Sequence, residues 1–138
     1  MIHNSKVDTG VMTQIGIIVR DVETAAKAYA DFLNMDVPAV QWSGEYSEAE
    51  QQYKGKPVDS RAKLVFFNLS NIQIELIEPD EGPGTWQKFL DDHGEGVHHI
   101  AFEVNGMRQV LSNFENKSVH LEQKGEYEGG EIRIYRYT

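Results

Sequence analysis

Gly94-Glu95-Gly96-Val97-His98-His99-Ile100-Ala101-Phe102-Glu103-Val104 is the run on which the fold turns. Residues 97–104 mix β-branched and aromatic side chains with no helical period, which predicts a strand. Asn105 then precedes Met107, Val110, Leu111 and Phe114, spaced i, i+3, i+4 and i+7 as on one face of a helix. The same order occurs near the start of the chain. Gln14-Ile15-Gly16-Ile17-Ile18-Val19 predicts a strand and Asp21 supplies an N-cap. Val22, Ala25, Ala26, Tyr29, Phe32 and Leu33 form a helical stripe, which Asn34 can close in the left-handed conformation. Laid over each other, 14–19 and 99–104 match Ile with Ile and Val with Val, so two strand–helix units predict an internal repeat.

Between the units, 41–60 is polar, contains Gly44, Gly55 and Pro57, and reads as a loop. Residues 62–69 and 72–77 read as two strands joined by a turn at Ser70-Asn71. Beyond Pro79, Thr85 reads as the cap of a short helix with Trp86, Phe89 and Leu90 on one face, ended by His93-Gly94. Residues 132–137 alternate apolar residues with Arg and predict a strand equivalent to 62–69, whereas 72–77 has no counterpart before Thr138.

The chain has 138 residues, 40% hydrophobic and 25% charged, which fits one globular domain and excludes a disordered or collagen-like chain. No apolar run reaches the roughly 20 residues of a membrane span. There are no cysteines, and 1–8 carry no secretory core, so a cytoplasmic location is expected. The 13 Lys and Arg are scattered and 22 Asp and Glu bring the net charge to −9, so neither nucleic acid nor a membrane surface is an expected partner.

Strand alternation places Gln14 and Gly16 on one face, His99, Ala101 and Glu103 on the matching face of the repeat strand, and Gln73 and Glu75 together on the hairpin strand. An amide oxygen, a carboxylate and an imidazole in that arrangement suit a divalent cation such as Zn, Mn, Ni, Co or Fe(II). Each also has an ordinary reading, as a hydrogen-bonded strand histidine or a solvated glutamate. By parity His98 points to the face opposite His99. His3, His93 and His120 read as surface residues in a tail, a helix end and a loop. Glu45, Glu48 and Glu50 read as an acidic surface loop or a lid.

Residues 14–21, Ile74-Glu75-Leu76-Ile77-Glu78-Pro79 and the 94–104 run resemble the vicinal oxygen chelate superfamily (glyoxalase, bleomycin resistance, dioxygenase), nearest its methylmalonyl-CoA epimerase and glyoxalase I branch. The resemblance covers about 12–138. It implies a single α+β domain over 1–138 built of paired βαβββ modules, about 12–79 and about 95–138, as a curled mixed sheet around a cavity. The last strand of the second module has no counterpart in the sequence. The resemblance further implies one divalent metal ion on Gln14, Glu75 and His99; the family's fourth ligand, a last-strand Glu, is not matched. The implied chemistry is that of a lyase or isomerase that removes a proton next to a carbonyl, with the enediolate or enolate oxygen on the metal. Glu75 and Glu103 are the candidate catalytic carboxylates, since 63–68 lacks the Glu that epimerases carry on the third strand. The implied partners are a small-molecule substrate, a CoA or glutathione thioester or adduct, and a second copy in a homodimer. The alternative is a non-catalytic small-molecule-binding protein of the bleomycin-resistance type, with Trp42 and Trp86 lining its cavity. An extradiol Fe(II) dioxygenase is disfavoured by Gln14 where the first His would stand.

Overall fold

β-Branched residues at 15, 17 and 18 make Val11–Ile18 a strand, β1, and it becomes the strand to which both ends of the site are tied. The structure, a computed structural model, describes residues 10–43, 52–57, 61–103, 119–127 and 130–137. The expected helix carrying Met107, Val110, Leu111 and Phe114, and the acidic stretch with Glu45, Glu48 and Glu50, lie outside them.

Helix α1 spans Val22–Leu33. As expected, the Asp21 carboxylate accepts from the backbone N–H of Glu23 and Thr24, and Asn34 ends the helix at φ 53, ψ 50. The Thr24 N–H is the main reason the Asp21 carboxyl titrates below its ordinary range. Glu78 takes the remaining Val22 N–H at 3.0 Å, so a strand residue also anchors the helix start. The buried stripe is Val22, Ala26 and Ala30, flanked by Ala25, Tyr29 and Leu33. Phe32 departs from the expected stripe and is 87% exposed, because the sheet takes up the arc centred on 22, 26 and 30.

The polar stretch expected as a loop contains three two-residue strands, β2 (Gln41–Trp42), β3 (Gln52–Tyr53) and β4 (Lys56–Pro57). The turn between β3 and β4 uses Lys54 at φ 53 and Gly55 at φ 79, a left-handed pair matched to hairpin twist. Strands β5 (Ala62–Asn68) and β6 (Gln73–Pro79) form the expected hairpin, closed by Leu69 N–H to the Ile72 carbonyl at 3.0 Å. Helix α2 is Thr85–His93. Its N-cap is Gly84 rather than Thr85, which sits one position inside the helix and turns its hydroxyl elsewhere. Strand β7 is Gly96–Glu103, followed by β8 (Val119–Tyr127) and β9 (Gly130–Tyr137). His120 thus lies on a strand, not in a loop, paired in register with Arg136.

The fold is α+β with a mixed sheet, and the sheet is not closed into a barrel. The described strands divide into a five-stranded sheet, β2-β5-β6-β1-β7, and a four-stranded sheet, β4-β3-β8-β9. β1 runs parallel to β6 and antiparallel to β7. Adjacent residues of the first sheet feed two cores, as alternation requires. Val65, Phe67 and Leu76 pack beneath α1, while Ile18, Ala62 and Ile77 pack with Trp86, Phe89 and Leu90 of α2 on the other face. Trp42 and Trp86 therefore do not line one cavity. Trp42 is opposite Lys63 on the α1 side, with the Arg61 guanidinium 4.9 Å from its ring centre. Among the described residues no helix is long and apolar enough to cross a membrane.

Candidate functional site

Helix α2 covers its face of the sheet at the Ile18 and Ile77 end, and the polar side chains gather two and four positions further along the same strands. β1 and β6 pair in register Gln14 with Gln73 and Gly16 with Glu75, and β7 places His99 opposite Gly16. Three strands thus deliver Gln14, Glu75 and His99 to one point. His99 Nε2 lies 2.9 Å from Gln14 Oε1 and 3.4 Å from Glu75 Oε1. The side chains of His99 and Glu75 are 18% and 12% exposed, so the cluster is largely withdrawn from water.

The Gln14 amide is not free to choose its orientation. Its Nε2 donates to Gln73 Oε1 at 2.7 Å, and Gln73 Nε2 donates to Asn68 Oδ1 at 2.7 Å. With the NH2 committed, the carbonyl oxygen must face His99. Gly16 supplies the space, because a Cβ on it would overlap the ring atoms of His99. Alternation puts Gln73 and Gly16 on this face without giving either a role, although a glycine inside a strand is itself a sign of close approach by another group, and it does not single out Asn68.

His98 is the main departure from parity. Gly16 pairs with His99 and Ile17 with Val97, so His98 is an extra residue in a β-bulge. A bulge re-aims side chains, and here both imidazoles come to the same side, with Nδ1 of His98 2.9 Å from Nδ1 of His99. Nε2 of His98 lies 2.9 Å from the Thr85 hydroxyl, and the ring meets Phe89 edge-on at 5.4 Å between centres. Burial, and secondarily the neighbouring His99, push the His98 pKa down from 6.5 to about 4. The ring is therefore neutral at pH 7. Because the unfolded chain takes up this proton first, stability is lost as pH falls from about 6.5 to about 4. The loss reaches about 3 kcal/mol when complete. Denaturant titrations of metal-free protein from pH 7.5 to 4 should show this slope, and His98→Asn should flatten it by that amount.

Glu103 is at the far end of β7, opposite Val11, four positions from His99 and so about 13 Å along an extended strand. The structure does not bring it to the other three. On β5, Phe66 pairs in register with Glu75 and gives the cluster an apolar flank.

The fit of the donor set to a divalent cation rests on its own geometry. With bonds of about 2.1 Å, neighbouring ligands on one ion stand about 3.0 Å apart in octahedral and about 3.4 Å apart in tetrahedral coordination. The separations of 2.9 Å to Gln14 Oε1 and 3.4 Å to Glu75 Oε1 from His99 Nε2 span that range. Among the described residues, no three His, Cys, Asp or Glu side chains are grouped to hold a metal, so the set reaches three donors only through the Gln14 amide.

Known proteins resemble this chain in sequence and in fold. The uncharacterised protein YqjC of Bacillus subtilis is 32% identical over 63 residues, 46% of this chain and 45% of that protein. The ethylmalonyl-CoA/methylmalonyl-CoA epimerase of Cereibacter sphaeroides is 26% identical over 118 residues, 85% of this chain and 78% of that enzyme. The chain spans about half the length of other curated relatives it matches, 54% and 57% for two mitochondrial methylmalonyl-CoA epimerases. Among solved structures, methylmalonyl-CoA epimerase from Mycobacterium tuberculosis superposes with a TM-score of 0.61 at 21% identity, covering 100% of this chain and 93% of that one. A family profile extends the agreement from β1 almost to the end of β9, over residues 13–136. That match makes this chain a member of the glyoxalase/bleomycin resistance protein/dioxygenase superfamily.

Proposed function

We propose that the chain is an epimerase-type isomerase that moves a proton at the carbon next to the thioester carbonyl of an acyl-CoA of the methylmalonyl class. The observation that carries this reading is the convergence of Gln14 Oε1, Glu75 Oε1 and His99 Nε2 at 2.9 and 3.4 Å. Epimerase relatives at about a quarter identity support the reaction class, and a structural neighbour was solved with methylmalonyl-CoA bound.

Gln14, Glu75 and His99 would hold a divalent cation. Its charge would stabilise the negative charge that develops on the substrate carbonyl oxygen as the proton leaves. Gln73 and Asn68 hold the Gln14 carbonyl toward the set, and Gly16 lets the His99 ring lie flat over β1. Phe66 stands opposite Glu75, the carboxylate we assign to take the proton from one face at an oxygen not engaged by the cation. Inversion requires that a solvent-derived proton return to the opposite face of the planar enolate. We assign no step to Glu103, since a base must come within about 3 Å of the proton it moves.

Incubation of cation-loaded protein with methylmalonyl-CoA in D2O tests this. We expect deuterium at the acidic carbon well above the uncatalysed rate, and a loss of about 10³-fold or more in His99→Ala. No exchange by folded protein loaded in turn with Zn2+, Co2+, Mn2+ and Ni2+ overturns the proposal. Phe66, standing where a second carboxylate would face Glu75, favours one other reading, a binding protein that holds the thioester without turnover. Saturable binding with no exchange is its signature.

A further inference from the structure

The contacts running from α2 to the donor set form a chain that engages all four ring nitrogens of His98 and His99. Thr85 Oγ1 meets His98 Nε2 at 2.9 Å, His98 Nδ1 meets His99 Nδ1 at 2.9 Å, and His99 Nε2 meets Gln14 Oε1 at 2.9 Å. A neutral imidazole carries one proton, and of two facing Nδ1 atoms only one can donate. The tautomer of one ring therefore dictates the tautomer of the other.

Two arrangements satisfy the whole chain. In the first, His99 Nε2–H donates toward Gln14 Oε1 and Glu75 Oε1, His98 Nδ1–H donates to His99 Nδ1, and the Thr85 hydroxyl donates to His98 Nε2. In the second, His99 Nδ1–H donates to His98 Nδ1, His98 Nε2–H donates to Thr85 Oγ1, and His99 Nε2 presents a bare lone pair to the two oxygens. A lone pair facing two acceptor oxygens is repulsive unless a cation lies among them. The first arrangement thus belongs to the empty set and the second to the filled one. Each ring holds one proton in both, so no net charge is exchanged in passing between them.

We propose that His98, seated by Thr85, is a positioning residue that couples the tautomer of His99 to occupancy of the donor set. This rests on the reading of Gln14, Glu75 and His99 as a cation site. Partners that fix the second nitrogen of a ligating histidine commonly control affinity by 10–100-fold. Here that partner is another histidine, and it must reverse its own tautomer although it is not one of the three donors.

Long-range 1H–15N correlation spectra of the full chain with 15N-histidine, recorded metal-free and with excess Zn2+, test the coupling. We expect the His98 proton to move from Nδ1 to Nε2 as zinc engages His99 Nε2. Zinc on His99 with an unchanged His98 tautomer overturns the coupling and leaves the cation site standing. Zinc that alters neither ring overturns both. As a second measurement, His98→Asn keeps an acceptor near Nδ1 and should bind zinc within about threefold of the parent. His98→Leu, with no acceptor, should bind it about tenfold or more weakly. Equal losses in the two folded variants overturn the proposal.

Discussion

Gly16→Ala is expected to destroy the donor set while sparing the fold. The added methyl falls on the His99 ring, which must swing away from Gln14 and Glu75. The clashing group is the end of a side chain rather than backbone, so it can leave at a cost of about 1–3 kcal/mol. The site has no such latitude, since its two contacts of 2.9 and 3.4 Å both end on the displaced nitrogen. Isothermal titration should show zinc affinity falling about 100-fold or more, and denaturant curves should show the modest stability change. Parent-like zinc affinity in the variant would mean that His99 Nε2 is not a ligand.

The largest effect on stability is expected from Phe67→Ala. Phe67 is fully buried beneath α1, with Tyr29 at 6.0 Å between ring centres and Leu76 in the same cluster. Truncation removes the transfer free energy of a ring and leaves a cavity that three rigid elements cannot collapse around, about 3–5 kcal/mol. Domains of this size are stable by about 5–15 kcal/mol, so the variant should lose about a fifth or more of its midpoint denaturant concentration. A loss below about 1 kcal/mol would show that α1 repacks freely on the sheet.

Side-chain alternation was enough to place Gln14 and Glu75 on a common face, because β1 and β6 are regular and pair without slippage. It also put His99 there. It failed at His98, where alternation holds only until a bulge, and a bulge is defined by the partner strand rather than by the strand itself. Gly16 carried no legible role for the same reason: its purpose is the ring across the ladder. Thr85 matched a cap pattern, yet Gly84 takes that position and the hydroxyl serves the histidines. Strands β3, β4 and β8 lie in polar sequence, and their pairing is made by backbone groups that leave little periodic signal. Phe32 shows the converse, an apolar residue at helical spacing that the sheet does not reach.

Among the described strands β7 lies at the end of its sheet, with β1 as its neighbour, and it carries the imidazole of the set. Terminal strands open locally at lower free energy than whole domains unfold. Each such fraying event lifts His99 off its two companions, which are 85 and 24 positions away in sequence. The affinity of a cation held there, as proposed, would be capped by the population in which the outer strand is docked. Its occupancy would in turn act as a rivet, slowing amide exchange along that strand.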